Sequence, residues 1–205
     1  MAYDKDLVAA KLRRWEKFLE NYSLPSWDEI PNFGLYMEQV VTLLYEYVDY
    51  LPPELKDEQV VTPSAINNYV RTKVMPEPVK KRYYRIHIAY LIMICTLKQT
   101  LSISLIQKII PTGIDESEVK KIYSAYVSRH GLSSKAFIHI VRLLGADILN
   151  HEEENELVAK DTSDLIFTVA LMGGFSKLLA DKLILLEGKD INNGGSIEIE
   201  QGPKD

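Results

Sequence analysis

Six cations, Arg71, Lys73, Lys80, Lys81, Arg82 and Arg85, crowd into one short stretch of chain around Tyr69, Tyr83 and Tyr84, and only Glu77 opposes them. Guanidinium, ammonium and phenol groups interleaved in this way are donors suited to phosphate oxygens. At the start of the same stretch, Ser64, Asn67, Asn68 and Arg71 stand three or four residues apart, so on a helix they share one face. Asn amides pair bidentately with adenine edges and Arg with guanine edges. The chemistry implied is recognition of an anionic, base-bearing ligand.

No other residues suggest bond-making chemistry. His87, His130, His139 and His151 are scattered, and none lies in an H-E-x-x-H pattern or beside a pair of cysteines. They read as surface or satisfied core histidines, and no metal site is expected. "HEEENE" from His151 reads as a solvated helix start, where acidic side chains meet the positive end of the helix dipole. Gly173-Gly174 lacks the G-x-x-x-x-G-K-[ST] phosphate cradle and reads as a helix break or a close helix crossing. Cys95 has no base or helix start nearby to activate its thiol and reads as core. The expectation is a protein without catalytic residues or cofactor, and not an enzyme.

The basic stretch must be displayed by a chain whose formal net charge is -5. Such a balance argues against coating nucleic acid or membrane over the whole surface, so anion binding must be local. With 205 residues, 46% of them hydrophobic, the chain can bury a sizeable core. Its single cysteine fits a reducing, cytoplasmic setting. The charged start lacks the pattern of a signal peptide. The longest apolar run, "LIFTVALMGGFS" from Leu165, is far short of the roughly 20 residues needed to span a bilayer, so no membrane association is expected.

The elements that would hold the basic stretch are helical. Leu7, Leu12, Trp15, Phe18 and Leu19 lie near one helical face that Pro25 ends, and Ser26 with Glu29 forms a capping-box pattern. "LYMEQVVTLLYEYVDYL" from Leu35 repeats apolar residues at helical spacing until Pro52. Thr62 is a good N-cap with Pro63 in the tolerated first turn, which predicts a second short helix. Pro76 and Pro78 exclude helix from "MPEPVKKRYY" and predict an extended or hairpin loop. A long buried helix follows from Arg85, and another is capped by Ser102 and ended by Pro111 and Gly113. Further helices start at Asp115, with Gly131 as its stop, at "SSKAFIHIVRLLGADIL", and at "EENELVAKDTSDLIFTVALMGGFSKLLADKLILLEG", the last with at least one break. The Gly- and charge-rich tail is expected to be loose.

This order of helices around a proline-containing basic hairpin is that of a winged helix-turn-helix. The segment "AINNYVRTKVMPEPVKKRYYRIHIAYLIMICTLKQTLSISLIQKII" resembles the DNA-binding domain of MerR-type transcriptional regulators, whose motif runs TIRYYE, GLL-P, a basic wing ending in aromatics, and G-x-S-L-x-E-I. Ile66 and Tyr69 match the hydrophobic and second aromatic positions, and Pro76, Tyr83 and Tyr84 match the wing. "LSISLIQKI" matches the closing pattern in outline. Asn67 and Asn68 stand where that family has Arg-Tyr, and Lys73 stands at its usual glycine. The whole chain except its tail also resembles the uncharacterised bacterial YkrK-like proteins, whose N-terminal part is MerR-like.

The fold class expected is all-α, a MerR-like winged helix-turn-helix with a small basic wing followed by a C-terminal helical domain. The divisions are residues 1–112, 113–188 and a flexible tail at 189–205. The resemblance implies a sequence-specific transcriptional regulator of double-stranded DNA, a homodimer with an unidentified effector. Ser64, Asn67, Asn68, Tyr69, Arg71, Lys73, Lys80, Lys81, Arg82, Tyr83 and Arg85 are its expected DNA-binding residues. The alternative is a helical protein-interaction module that has lost DNA binding.

Overall fold

The computed structural model describes residues 4–48, 61–144, 162–184, 186 and 188–195. Among them lie seven α-helices: α1 (Lys5–Asn21), α2 (Met37–Tyr47), α3 (Pro63–Arg71), α4 (Arg85–Leu97), α5 (Ile103–Ile109), α6 (Glu116–Leu144) and α7 (Thr162–Ile184), with a 3₁₀ turn at Trp27–Glu29. No strand occurs among the described residues, and only the isolated antiparallel bridges Leu35–Tyr83 and Val79–Arg82 interrupt the helical pattern. The expected all-α class holds.

Local chemistry sets most helix starts. Asp4 accepts the Leu7 amide at 2.9 Å. Thr62 Oγ1 accepts the Ala65 amide at 3.0 Å with Pro63 in the first turn, and Asp115 Oδ1 accepts the Ser117 and Glu118 amides at 2.8 and 3.1 Å. Each side chain satisfies donors that the first helical turn leaves open. The Ser26–Glu29 capping box forms as expected around the 3₁₀ turn.

Helix α4 is the central element. Every residue from His87 to Leu97 is buried, because apolar side chains surround this helix and it must be covered on all sides. It packs against α2, α5, α6 and α7. One hydrophobic cluster runs from Leu7 in α1 to Leu186 beyond α7. Three tyrosine hydroxyls inside it are paired: that of Tyr90 donates to the Pro111 carbonyl at 2.6 Å, that of Tyr123 to the Pro25 carbonyl at 2.8 Å, and that of Tyr126 meets the Thr96 hydroxyl at 2.5 Å. Cys95 is a core residue, and burial pushes its thiol up to about 12.

One sequence expectation changes. Gly131 does not stop a helix: α6 continues from Glu116 to Leu144. A helical glycine costs about 1 kcal/mol, and burial of Tyr126, Phe137 and Ile138 on the two sides of it along α6 outweighs that penalty. Gly173 and Gly174 do not break α7 either. A Cβ on Gly173 would stand 3.3 Å from Thr100 Cγ2, and Thr100 Oγ1 donates to the Ala170 carbonyl at 3.0 Å, so this is the close crossing. In the tail, Asp190 accepts the Asn192 and Asn193 amides, and Gly194 is buried where a Cβ would stand 2.4 Å from Leu7. The stop at Pro52, the "HEEENE" segment and the tail beyond residue 195 lie outside the described residues.

Candidate nucleic-acid interface

Helix α3 is amphipathic in the sense its sequence requires. Ile66 and Tyr69 are buried and Val70 is half-buried. On the other side, Ser64, Asn67 and Arg71 are exposed and Asn68 is half-exposed. Arg71 Nη2 donates to Asn68 Oδ1 at 2.7 Å, which holds the two side chains together on that face. The helix ends in a Schellman motif, with Lys73 N–H on the Val70 carbonyl at 3.0 Å and Val74 N–H on the Tyr69 carbonyl at 2.9 Å. Gln107 of α5 donates to the Thr72 carbonyl at 3.0 Å and props this end. Lys73 occupies the left-handed position of the motif, φ 57°, where glycine is usual.

The hairpin is as short as a hairpin can be. Val79 and Arg82 exchange both backbone hydrogen bonds, at 3.0 and 2.9 Å, across a two-residue turn of Lys80 and Lys81. Their φ angles are 50° and 61°, the double left-handed conformation for which Asn-Gly is preferred. Both lysines are exposed, and neither makes an ion pair among the described residues. Leu35 and Tyr83 exchange hydrogen bonds of 2.8 and 2.9 Å on the far side of Arg82. The register therefore sets Tyr36 opposite Arg82 and Gly34 opposite Tyr84, on the face away from buried Leu35 and Tyr83.

Four of the expected contact residues serve the fold instead. Tyr69 and Tyr83 are in the core, where burial raises both phenols above their usual pKa. Tyr69 faces inward because α3 needs an aromatic against α4, and the Lys98 ammonium lies 6.0 Å from its ring. Arg85 Nε donates to the Ile30 carbonyl at 2.8 Å, and its guanidinium pairs with Asp28 at 3.7 Å and sits 5.9 Å from the Trp27 ring. Arg82 donates to the Gly34 carbonyl at 3.2 Å and the Tyr36 hydroxyl at 2.6 Å, with its guanidinium 3.6 Å over the Tyr36 ring. The cations left at the surface of this stretch are Arg71, Lys73, Lys80 and Lys81.

Sequence reasoning missed the residues that aim the hairpin. His87 Nδ1 accepts the Tyr84 amide at 3.0 Å, and its Nε2 lies 2.9 Å from the Glu77 carbonyl. One ring thus caps α4 and ties it to the segment entering the hairpin, and burial lowers its pKa. Gly34 is required by close approach: a Cβ there would stand 2.8 Å from Arg82 Cβ and 3.0 Å from the Tyr84 ring. Single bridges leave no alternating pattern to find. The only signal was Gly34 itself, set between Phe33 and Tyr36.

Residues 25–127, from the 3₁₀ turn through the hairpin and into α6, match the family described as Domain of unknown function (DUF1836). The chain belongs to the DUF1836 family. The DUF1836 segment holds every element just described, including α3, the hairpin, Gly34 and His87. No curated protein and no solved structure matches the chain. No helix among the described residues is long and apolar enough to cross a membrane.

Proposed function

We propose that this chain is a sequence-specific DNA-binding regulator in which α3 faces base edges and the Lys80-Lys81 hairpin acts as a basic wing on the flanking backbone. One observation carries the reading. Lys73, Lys80 and Lys81 all occupy left-handed backbone positions, each of which costs a non-glycine residue roughly 1 to 3 kcal/mol. Glycine or asparagine would fold there more readily, so the strain is tolerated for the sake of three exposed ammonium groups. Strained residues of this kind cluster at ligand clamps. The α3 face supplies the complementary chemistry, since the exposed side chains of Ser64, Asn67 and Arg71 lie where they can meet base edges while charge holds phosphate.

The wider reading follows the MerR-like resemblance. The regulator acts in the cytoplasm as a homodimer on a two-fold site, through the helices after Asp115, and answers an unidentified effector. Light scattering at tens of micromolar, with and without DNA, tests the dimer. A monomer in both removes it.

Titration against selected and scrambled duplexes at several salt concentrations tests DNA binding. Log K falls by about 0.9 per neutralised phosphate for each decade of salt. Changing Lys80 and Lys81 to Ala lowers that slope and weakens all DNA alike. Arg71→Ala loses roughly 1 to 3 kcal/mol on the preferred site and relaxes sequence preference. Arg85→Ala lowers thermal stability and leaves the salt slope intact. Absence of salt-dependent binding by the unaltered chain overturns the proposal and favours the interaction module.

A further inference from the structure

On the outer side of α3 one hydrogen bond decides what the side chains can read. Arg71 Nη2 donates to Asn68 Oδ1 at 2.7 Å. A guanidinium has donors and no acceptor, so the carboxamide must turn its oxygen toward Arg71 and its NH2 group away. Charge on one partner makes such a bond shorter and stronger than one between neutral groups. No ion pair with a described residue competes for Arg71. The backbone beneath the pair is fixed as well: the Thr72 amide and hydroxyl both donate to the Asn68 carbonyl, at 2.9 and 2.7 Å, and Gln107 of α5 holds the Thr72 carbonyl at 3.0 Å.

We infer that Arg71, held by Asn68, reads a guanine, and that Asn68 is a positioning residue instead of a reader of adenine. The inference rests on the nucleic-acid reading above and adds the base that is selected. Adenine recognition needs the Asn oxygen for N6–H and the Asn NH2 for N7 together. The Asn68 oxygen is turned to Arg71, so the two side chains offer an array of donors. Guanine presents two neighbouring acceptors to it, O6 and N7, whereas adenine and cytosine each present an amino donor and thymine sets a methyl group beside its one acceptor. Asn67 is exposed and stands outside the pair, with both halves of its amide available to an adenine. Asn67 and Arg71 lie four residues apart, about 6 Å along a helix axis, which matches about two base-pair steps of roughly 3.4 Å. The chain therefore selects a guanine with an adenine about two base pairs away.

The test is selection of bound duplexes from a random library by the full chain, then titration of the selected duplex and of copies that carry another base, or 7-deazaguanine, at the guanine. Another base costs the unaltered chain about five- to a hundredfold in affinity, the range for one bidentate base contact, and 7-deazaguanine, which lacks only the N7 acceptor, costs part of that. Arg71→Ala binds all of these duplexes alike. Asn68→Ala narrows the preference for guanine and leaves affinity for scrambled duplex unchanged. Asn68→Asp keeps an acceptor for Arg71 and adds a negative charge, so it retains the guanine preference while weakening every duplex. The 7-deazaguanine duplex supplies the answer with the unaltered chain if a variant unfolds. Undiminished affinity for that duplex, full guanine preference in Asn68→Ala, or loss of the selected adenine in Asn68→Ala overturns the inference, while salt-dependent duplex binding still supports a DNA-binding protein. Absence of salt-dependent binding to any duplex overturns the nucleic-acid reading itself.

Discussion

The His87 ring stands with Nε2 2.9 Å from the Glu77 carbonyl while Nδ1 accepts an amide proton from Tyr84. An Nδ1 that accepts must be unprotonated, so the ring is neutral with its proton on Nε2, donated to Glu77. A small substitution removes both bonds at once. The Tyr84 amide and the Glu77 carbonyl then lose their partner, at a cost of about 1 to 3 kcal/mol for each group left buried without a replacement. His87→Ala is expected to lower the urea midpoint and to speed hydrogen exchange first at Tyr84 and His87, because the α4 cap frays before the helix does. Uniform exchange across α4 would show that the ring merely fills space.

The three left-handed lysines predict an opposition between stability and binding. Lys73→Gly relieves the Schellman position and is expected to raise stability by about 1 kcal/mol, a rise in Tm of roughly 2–4 °C for a chain of this size. Replacing Lys80-Lys81 by Asn-Gly supplies the preferred turn and raises Tm by at least as much, while removing two charges from the hairpin tip. If DNA affinity falls as Tm rises, the strain is retained for binding. A fall in Tm would mean that the lysine side chains stabilise the turn.

The helices were legible because periodic apolar residues and caps are local signals. Thr62-Pro63, Ser26 with Glu29, and Asp115 each marked a start that the structure keeps. What these local signals leave open is decided by tertiary context. Gly131 looks like a stop until the buried side chains around it are known, and only Thr100 decides between a break and a close crossing at Gly173-Gly174. Within the basic stretch, residue type gave the chemistry and could not give the direction. Arg82 and Arg85 carry the same charge as Lys80 and Lys81, yet each guanidinium finds acceptors on segments distant in sequence, Gly34 with Tyr36 and Ile30 with Asp28. Such pairings have no periodic signature.

Gly34 offers a sharper test of the hairpin geometry. A methyl group there would meet Arg82 Cβ at 2.8 Å and the Tyr84 ring at 3.0 Å. Neither can retreat freely, because Arg82 is held to Tyr36 and Tyr84 caps α4. Gly34→Ala is expected to destabilise the chain by roughly 1 to 3 kcal/mol, the usual cost of overpacking, and to separate the Leu35–Tyr83 bridge. Chemical shifts of those two amides would report the change. A neutral effect on both would mean that the ribbon is looser than its contacts imply.

Acid should loosen the α1–α6–α7 side of the molecule before carboxylates titrate. His130 is buried against the rings of Tyr22 and Phe175, at centroid distances of 6.1 and 5.5 Å, and burial lowers its pKa to about 4. The unfolded chain takes up a proton near pH 6.5, so between these values it binds more protons than the folded chain. Stability is therefore complete above about pH 6.5 and is lost as pH falls toward 4, by roughly 3 kcal/mol for a shift of this size. His87 acts in the same direction, since burial lowers its pKa as well. Glu29 and Asp115 have lowered pKa values through their hydrogen bonds to Ser26 and Ser117, so their stabilising effect is also lost in acid, but only below the usual carboxylate range. The interval from about pH 6.5 to 5 thus isolates the histidines. Urea unfolding across it is expected to show a falling midpoint in the parent chain and a flatter one in His130→Phe, which keeps the ring and removes the titrating group. An identical slope in the two would place the acid sensitivity elsewhere, with His87→Gln as the next variant to compare.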